Sequence, residues 1–94
     1  NTKGALIRDI MISQGTVNAS AVSPREIFIE AMKYHAVSLV LVHNHPSGDP
    51  SPSREDVSFT RRVKEAGDLV GIRLLDHIII GDNSYISLKE RGIL

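Results

Sequence analysis

His43 and His45 stand two residues apart, and Asp56 follows them along the chain. Imidazole nitrogens and carboxylate oxygens are the ligands left to a divalent metal when no thiolate is present, and this chain has no cysteine. On a β-strand, residues at i and i+2 point to the same face, so both rings can converge on one point. Asp56 lies three residues after Ser53, in the first turn of the helix that Ser53 would cap. Two nitrogens and one oxygen make a three-ligand set for Zn²⁺ and leave a fourth position for water. An open position separates a catalytic zinc from a structural one. Taken singly, His-x-His is a common pair, and Ser53-x-x-Asp56 is a variant of the capping box. The combination, with a proline-stiffened loop between its parts, points to a metal.

The elements that must position these groups can be read along the chain. Asn1-Thr2-Lys3-Gly4 reads as a turn, Ala5 to Ser13 as a strand and Gly15 to Ser20 as a connector. A turn at the first residue suggests a preceding strand that is not part of this sequence, and hence a fragment of a longer protein. Ser23-Pro24-Arg25-Glu26 predicts a helix start, with Ser23 as N-cap, Pro24 at the first helical position and Glu26 completing a capping box. Ile27, Ala31 and Tyr34, with Phe28 and Met32, follow at helical spacing. Ala36 to Val42 reads as a central strand covered on both faces. His43 to Pro52 holds three prolines and a glycine, a stiff loop. From Ser53 a second helix is expected to about Leu69, with Val57, Thr60, Val63, Lys64 and Gly67 on its inner side and Gly71 ending it. Leu74 to Ile80 is a strand, Gly81 to Ser84 a hairpin turn, and Tyr85 to Ser87 a short partner strand. Leu88 to Arg91 makes one helical turn stopped by Gly92. The order β, α, β, loop, α, β, β predicts a single domain over residues 1–94 with helices packed on a mixed sheet.

Composition narrows the function classes. The chain has 94 residues, 41% of them hydrophobic, enough for one modest core. Its mean hydropathy is −0.04, and eleven basic residues balance eleven acidic ones. Nucleic-acid clamps and membrane-surface binders normally carry a marked basic excess, so this balance speaks against both. The longest apolar stretch, Ala36 to Val42, is too short to span a bilayer, and no signal-peptide pattern is visible. A cytoplasmic location is expected. Without cysteine, disulfides, cysteine-based zinc fingers and the zinc deaminase arrangement are excluded.

His43-x-His45-Pro46, six residues and then Ser53-x-x-Asp56 resemble the signature of the JAMM (MPN+ or JAB-type) zinc metalloproteases. The wider text resembles the RadC-like branch of that superfamily: Ser23-Pro24-Arg25-Glu26, His43 to Pro50, Pro52 to Asp56 and Leu75-Asp76-His77. The resemblance implies a three-layer α-β-α sandwich, the arrangement of cytidine deaminases. It implies zinc on His43, His45 and Asp56, with Ser53 bonding the oxyanion or orienting the attacking water. It also implies hydrolysis of a peptide or isopeptide bond in a protein substrate. The family's general acid–base glutamate lies before the strand that precedes the chain's first turn. Glu26 is better explained by helix capping and Glu30 by an exposed helix face. The expectation is a chain able to bind zinc but short of its proton shuttle.

Other residues read more plainly. His77 is expected to be a satisfied, half-buried histidine in preference to a residue supporting the metal ligands or touching substrate, His35 a helix-terminus residue and not a ligand, and Asp49 a turn residue in preference to a group approaching the metal. Arg61, Arg62 and Lys64 form a basic cluster read as a solvated helix face beside Glu55, Glu65 and Asp68. RadC-like proteins have been labelled DNA-repair factors, but 4% aromatic content and zero net charge give DNA contact weak support. The rival to the enzyme is a non-catalytic module binding DNA or a protein on the same scaffold. Phosphodiester hydrolysis would want a second metal and more carboxylates near the motif. The ligand set favours zinc, although iron or nickel fits it too.

Overall fold

Ser23 starts the first helix as its neighbours predict. In the computed structural model, which describes residues 23–45 and 47–94, its side chain accepts the Glu26 N–H, and Glu26 Oε1 accepts the Ser23 N–H at 3.0 Å. Helix α1 runs from Pro24 to Lys33 and buries Ile27, Phe28 and Ala31. Met32 and Tyr34, which continue its apolar spacing, are exposed, Met32 in its last turn and Tyr34 just past its end. His35 turns into the left-handed region (φ 54), and the Ala36 N–H reaches back to the Ala31 carbonyl at 3.0 Å. That is a Schellman ending with histidine in the place glycine usually takes. The turn, strand and connector expected for Asn1–Ser20 lie outside the described residues.

Strand β1 spans Ser38–Asn44, two residues later than expected at each end, because Ala36 and Val37 belong to the turn leaving α1. His43 is therefore part of the strand and not of the loop after it. Helix α2 spans Arg54–Val70 and closes on Gly71 at φ 81. Strand β2 spans Arg73–Ile80 and β3 Tyr85–Ser87. The sheet order is β1-β2-β3, with β1 and β2 parallel and β2 and β3 antiparallel, a mixed sheet. Two parallel strands cannot be joined by a tight turn, so the crossover carries α2 and the loop before it. After β3, the Arg91 N–H bonds the Ser87 carbonyl, and a turn closes at Gly92 (φ 76), as expected.

One core takes side chains from both helices and from both long strands: Ile27, Phe28 and Ala31, Phe59 and Val63, Leu39 and Leu41, and Leu74. The described helices thus cover one face of the sheet; on the other, Val40 and Val42 of β1 are half-buried. The inner side of α2 is Asp56, Phe59, Thr60, Val63 and Gly67. Val57 and Lys64, expected there, are only partly covered. The apolar periodicity of this helix is diluted by a buried carboxylate and a buried hydroxyl, which hydropathy alone assigns to the surface.

The register of β1 against β2 shifts once. Leu39 faces Leu74, but Val40 faces Asp76, so Leu75 is an extra residue on β2. Such a bulge reverses which residues point inward. Leu74 is buried before it, and His77 and Ile79 are buried after it, while Leu75 is 40% exposed.

Candidate metal centre

The end of β1 and the start of α2 meet where the spacing predicts. His43 is buried in the last turn of the strand's alternation, opposite Ile79 of β2. His45 lies just beyond the strand, and its N–H still donates to the Ile80 carbonyl at 2.9 Å, so the chain keeps its extended course for one more step. The two rings meet edge to face with centroids 4.8 Å apart. Asp56 faces them from the first turn of α2 and is 2% exposed. His43 Nδ1 is 3.4 Å from Asp56 Oδ1, and His45 Nε2 is 2.9 Å from Asp56 Oδ2. One ligand-type atom from each residue falls within 4.8 Å of the others.

The contacts of His45 bear on whether these three residues could hold a cation. Its Nδ1 is 2.8 Å from the Asp49 carbonyl oxygen and its Nε2 faces Asp56 Oδ2. Both partners are acceptors. Both contacts can be hydrogen bonds only on a doubly protonated ring. With Nδ1–H donated to the carbonyl of a neutral ring, Nε2 is a lone pair facing an oxygen lone pair, and a shared cation resolves that opposition. Burial would raise the Asp56 carboxyl. The Ser53 backbone and hydroxyl, His43 and His45 together outweigh it and hold the group below its usual range. At His43, burial lowers the ring's proton affinity, with Asp56 opposing and His45 adding to the fall. A neutral His43 ring beside an ionised Asp56 carboxylate matches the protonation states that metal ligands require.

The loop between His45 and Asp56 is held from outside. Gly48, in the left-handed region at φ 86, accepts the Asp82 N–H at 2.8 Å through its carbonyl. A Cβ on Gly81 would meet that same carbonyl oxygen at 2.2 Å, so the loop rests directly on the β2–β3 turn. Asp49 takes the turn role expected of it: its Oδ1 accepts the Ser51 N–H at 3.0 Å. The Ser51 backbone, then its side chain, holds that carboxyl below its usual range. Its backbone carbonyl, and not its side chain, reaches the site.

Comparison with known proteins identifies the family. A family described as the RadC-like JAB domain matches residues 1–93. The chain belongs to the RadC-like JAB family. A UPF0758 protein of Pelobacter propionicus is similar to it, 56% identical over 92 residues, covering 98% of this chain and 40% of that protein. A UPF0758 protein of Clostridium botulinum is 57% identical over 96 residues, 100% of this chain and 41% of its own length. The chain thus spans about two fifths of the length of these relatives.

Within this RadC-like JAB domain, Ser53 caps α2, its Oγ accepting the Asp56 N–H at 3.0 Å while Asp56 Oδ2 accepts the Ser53 N–H at 2.8 Å. Capping and ligand geometry, weighed against each other from the sequence, are combined in one carboxylate. Glu26 caps α1 and Glu30 pairs with Lys33 at 2.9 Å; neither joins the cluster of His43, His45 and Asp56. His35 ends α1. Arg61 and Arg62 are exposed, as expected, and with Ser53 and Arg54 line an open groove of about 570 Å³ along α2. Lys64 pairs with Asp68 at 3.4 Å. No described helix is long and apolar enough to cross a membrane.

His77 departs from expectation: it is not half-buried but 3% exposed. Its Nδ1 lies 2.6 Å from Thr60 Oγ1, and its ring stacks on His43 at 5.9 Å with an interplanar angle of 23°. Burial first, then His43, lowers its pKa to about 4, so the ring is neutral. Asp76 beside it accepts the Ser87 hydroxyl, the His77 N–H and the Lys89 N–H, which ties β2 to the turn after β3. Sequence reasoning assigned Thr60 only to a helix face and gave Asp76 no role. The short polar residues amid apolar neighbours were the available signal.

Proposed function

We propose that this RadC-like JAB domain is a zinc-dependent hydrolase of peptide or isopeptide bonds in a protein substrate, with His43, His45 and Asp56 as the metal ligands. The observation that carries the reading is the pair of acceptors facing the two nitrogens of His45. His43, His45 and Asp56 would hold the zinc, which would supply Lewis acidity toward a substrate carbonyl and water.

The chain's own residues supply the rest. The Asp49 carbonyl accepts the His45 Nδ1–H, which fixes the tautomer and aims Nε2 inward. Ser53 keeps Asp56 ionised and turned toward the histidines, and its hydroxyl is the donor we assign to the oxyanion of the attacked carbonyl. Neither Glu26 nor Glu30 is free to move protons here, since each is engaged on α1. Proton transfer is therefore a step apart from zinc binding, and the two are separable by experiment. The three-layer, cytidine-deaminase-like arrangement belongs to the same proposal. The sheet face bearing Val40 and Val42 is the one a further layer would cover.

Zinc content tests the reading. The chain is expected to hold about one zinc after dialysis, and His43→Ala to hold almost none; equal content in both would overturn it. Peptidase or isopeptidase activity is expected of the zinc-loaded protein at the full length of its relatives. A longer protein that binds zinc but cleaves no isopeptide-linked or peptide substrate would favour the binding module instead.

A further inference from the structure

Five polar side chains are buried among the described residues: His43, Asp56, Thr60, His77 and Ser87. The first two belong to the candidate ligand set, and Ser87 bonds Asp76. Thr60 and His77 bond to each other, and Thr60 also bonds the backbone of Asp56. Thr60 Oγ1 is 2.6 Å from the Asp56 carbonyl oxygen and 2.6 Å from His77 Nδ1. A hydroxyl has one proton. Two oxygens at 2.6 Å need a proton between them, and a carbonyl has none, so Thr60 donates to Asp56. Its lone pair then accepts from His77, which fixes the proton on Nδ1.

This short chain of bonds reaches two of the three ligand-type residues. Through Thr60 it holds the first turn of α2, which carries Asp56. Through its face, the His77 ring stacks on His43. An apolar pair would fill the same space without burying a hydroxyl and an imidazole, and core packing alone favours that exchange. We propose that Thr60 and His77 are positioning residues for the metal centre, setting the separation of His43 from Asp56. The proposal rests on the zinc reading above and adds to it two residues outside the ligand set.

The test is a double variant, Thr60→Val with His77→Phe, which removes both polar partners at similar volume and is expected to fold. Zinc affinity, read by chelator competition, should fall about tenfold to a hundredfold, the range typical of groups that orient metal ligands. The visible spectrum of the Co²⁺-loaded protein should change with it. Thr60→Ser, which keeps the bridging hydroxyl, should retain wild-type affinity and spectrum. A folded double variant with wild-type zinc affinity and an unchanged Co²⁺ spectrum overturns the positioning role while leaving the zinc reading intact. If the wild-type chain binds no zinc, both fall together. Nitrogen NMR of the metal-free wild type gives a check that needs no variant. The proton of His77 is expected on Nδ1, and finding it on Nε2 would remove the bond on which the proposal stands.

Discussion

The two helices of this domain begin with the same device and put it to different ends. Ser23-x-x-Glu26 and Ser53-x-x-Asp56 both form complete capping boxes, with reciprocal bonds of 2.8–3.3 Å between serine and acid. Glu26 is exposed, and its Oε1 serves only the Ser23 N–H and hydroxyl. Asp56 is buried, and its Oδ2 takes the Ser53 N–H while facing His45, with Oδ1 turned to His43. What differs is where each helix starts. Helix α1 begins at the surface; α2 begins against the end of β1. A capping carboxylate becomes a candidate ligand when a neighbouring strand brings imidazoles to its remaining lone pairs.

Charge removal should separate the two boxes most widely. Asp56→Asn keeps an oxygen for the Ser53 N–H but loses the anion, and zinc affinity should fall at least about a hundredfold. Glu26→Gln should leave zinc binding unchanged in the same chelator competition. Equal effects would mean that the two carboxylates are equivalent and the comparison false.

Acid should sharpen the contrast in metal-free protein. His77, at about 4 against 6.5 unperturbed, resists protonation when folded, whereas the unfolded chain takes the proton first. Its contribution is therefore complete above pH 6.5 and lost as pH falls toward about 4, roughly 3 kcal/mol in all. The Glu26 carboxyl is depressed by the Ser23 backbone and hydroxyl, so its contribution is present above 4.5 and fades only below that. Melting temperature in excess chelator should decline already between pH 6.5 and 4.5, and His77→Leu should flatten that decline. A flat wild-type curve down to pH 4.5 would contradict the buried neutral ring.

Removing the cap serines should give similar losses of stability, about 1 kcal/mol each. Only Ser53→Ala should also weaken zinc binding, because it frees Asp56 to turn. The smallest effect lies at the other helix ends. Helix α2 closes on Gly71 in the left-handed region, while α1 closes on His35 in the same conformation. His35→Gly should stabilise the fold by up to about 1 kcal/mol in denaturant unfolding, with no change in zinc affinity.

The helix starts, the loop and the three ligand-type residues were legible because each follows from local chemistry. Ser-Pro-x-Glu and Ser-x-x-Asp satisfy orphan N–H groups in only one way, and prolines around Gly48 exclude regular structure. The start of β1 was misread because Ala36 and Val37 look like strand residues yet are taken by the helix ending at His35. The inner face of α2 was misread at Val57 and Lys64 because Asp56 and Thr60 occupy the positions that hydropathy gives to apolar residues.

The sequence by itself determined which groups are able to bind a metal and which segments bring them near one another. Only the tertiary structure decided that His77 points inward. The extra residue at Leu75 reverses the strand's alternation, and a bulge leaves no mark on the apolar pattern when Leu74, Leu75 and three isoleucines flank it. The pairing of His77 with Thr60 arises from the same cause. It depends on which face of β2 meets α2, a register set by packing across the sheet and not by the order of residues along it.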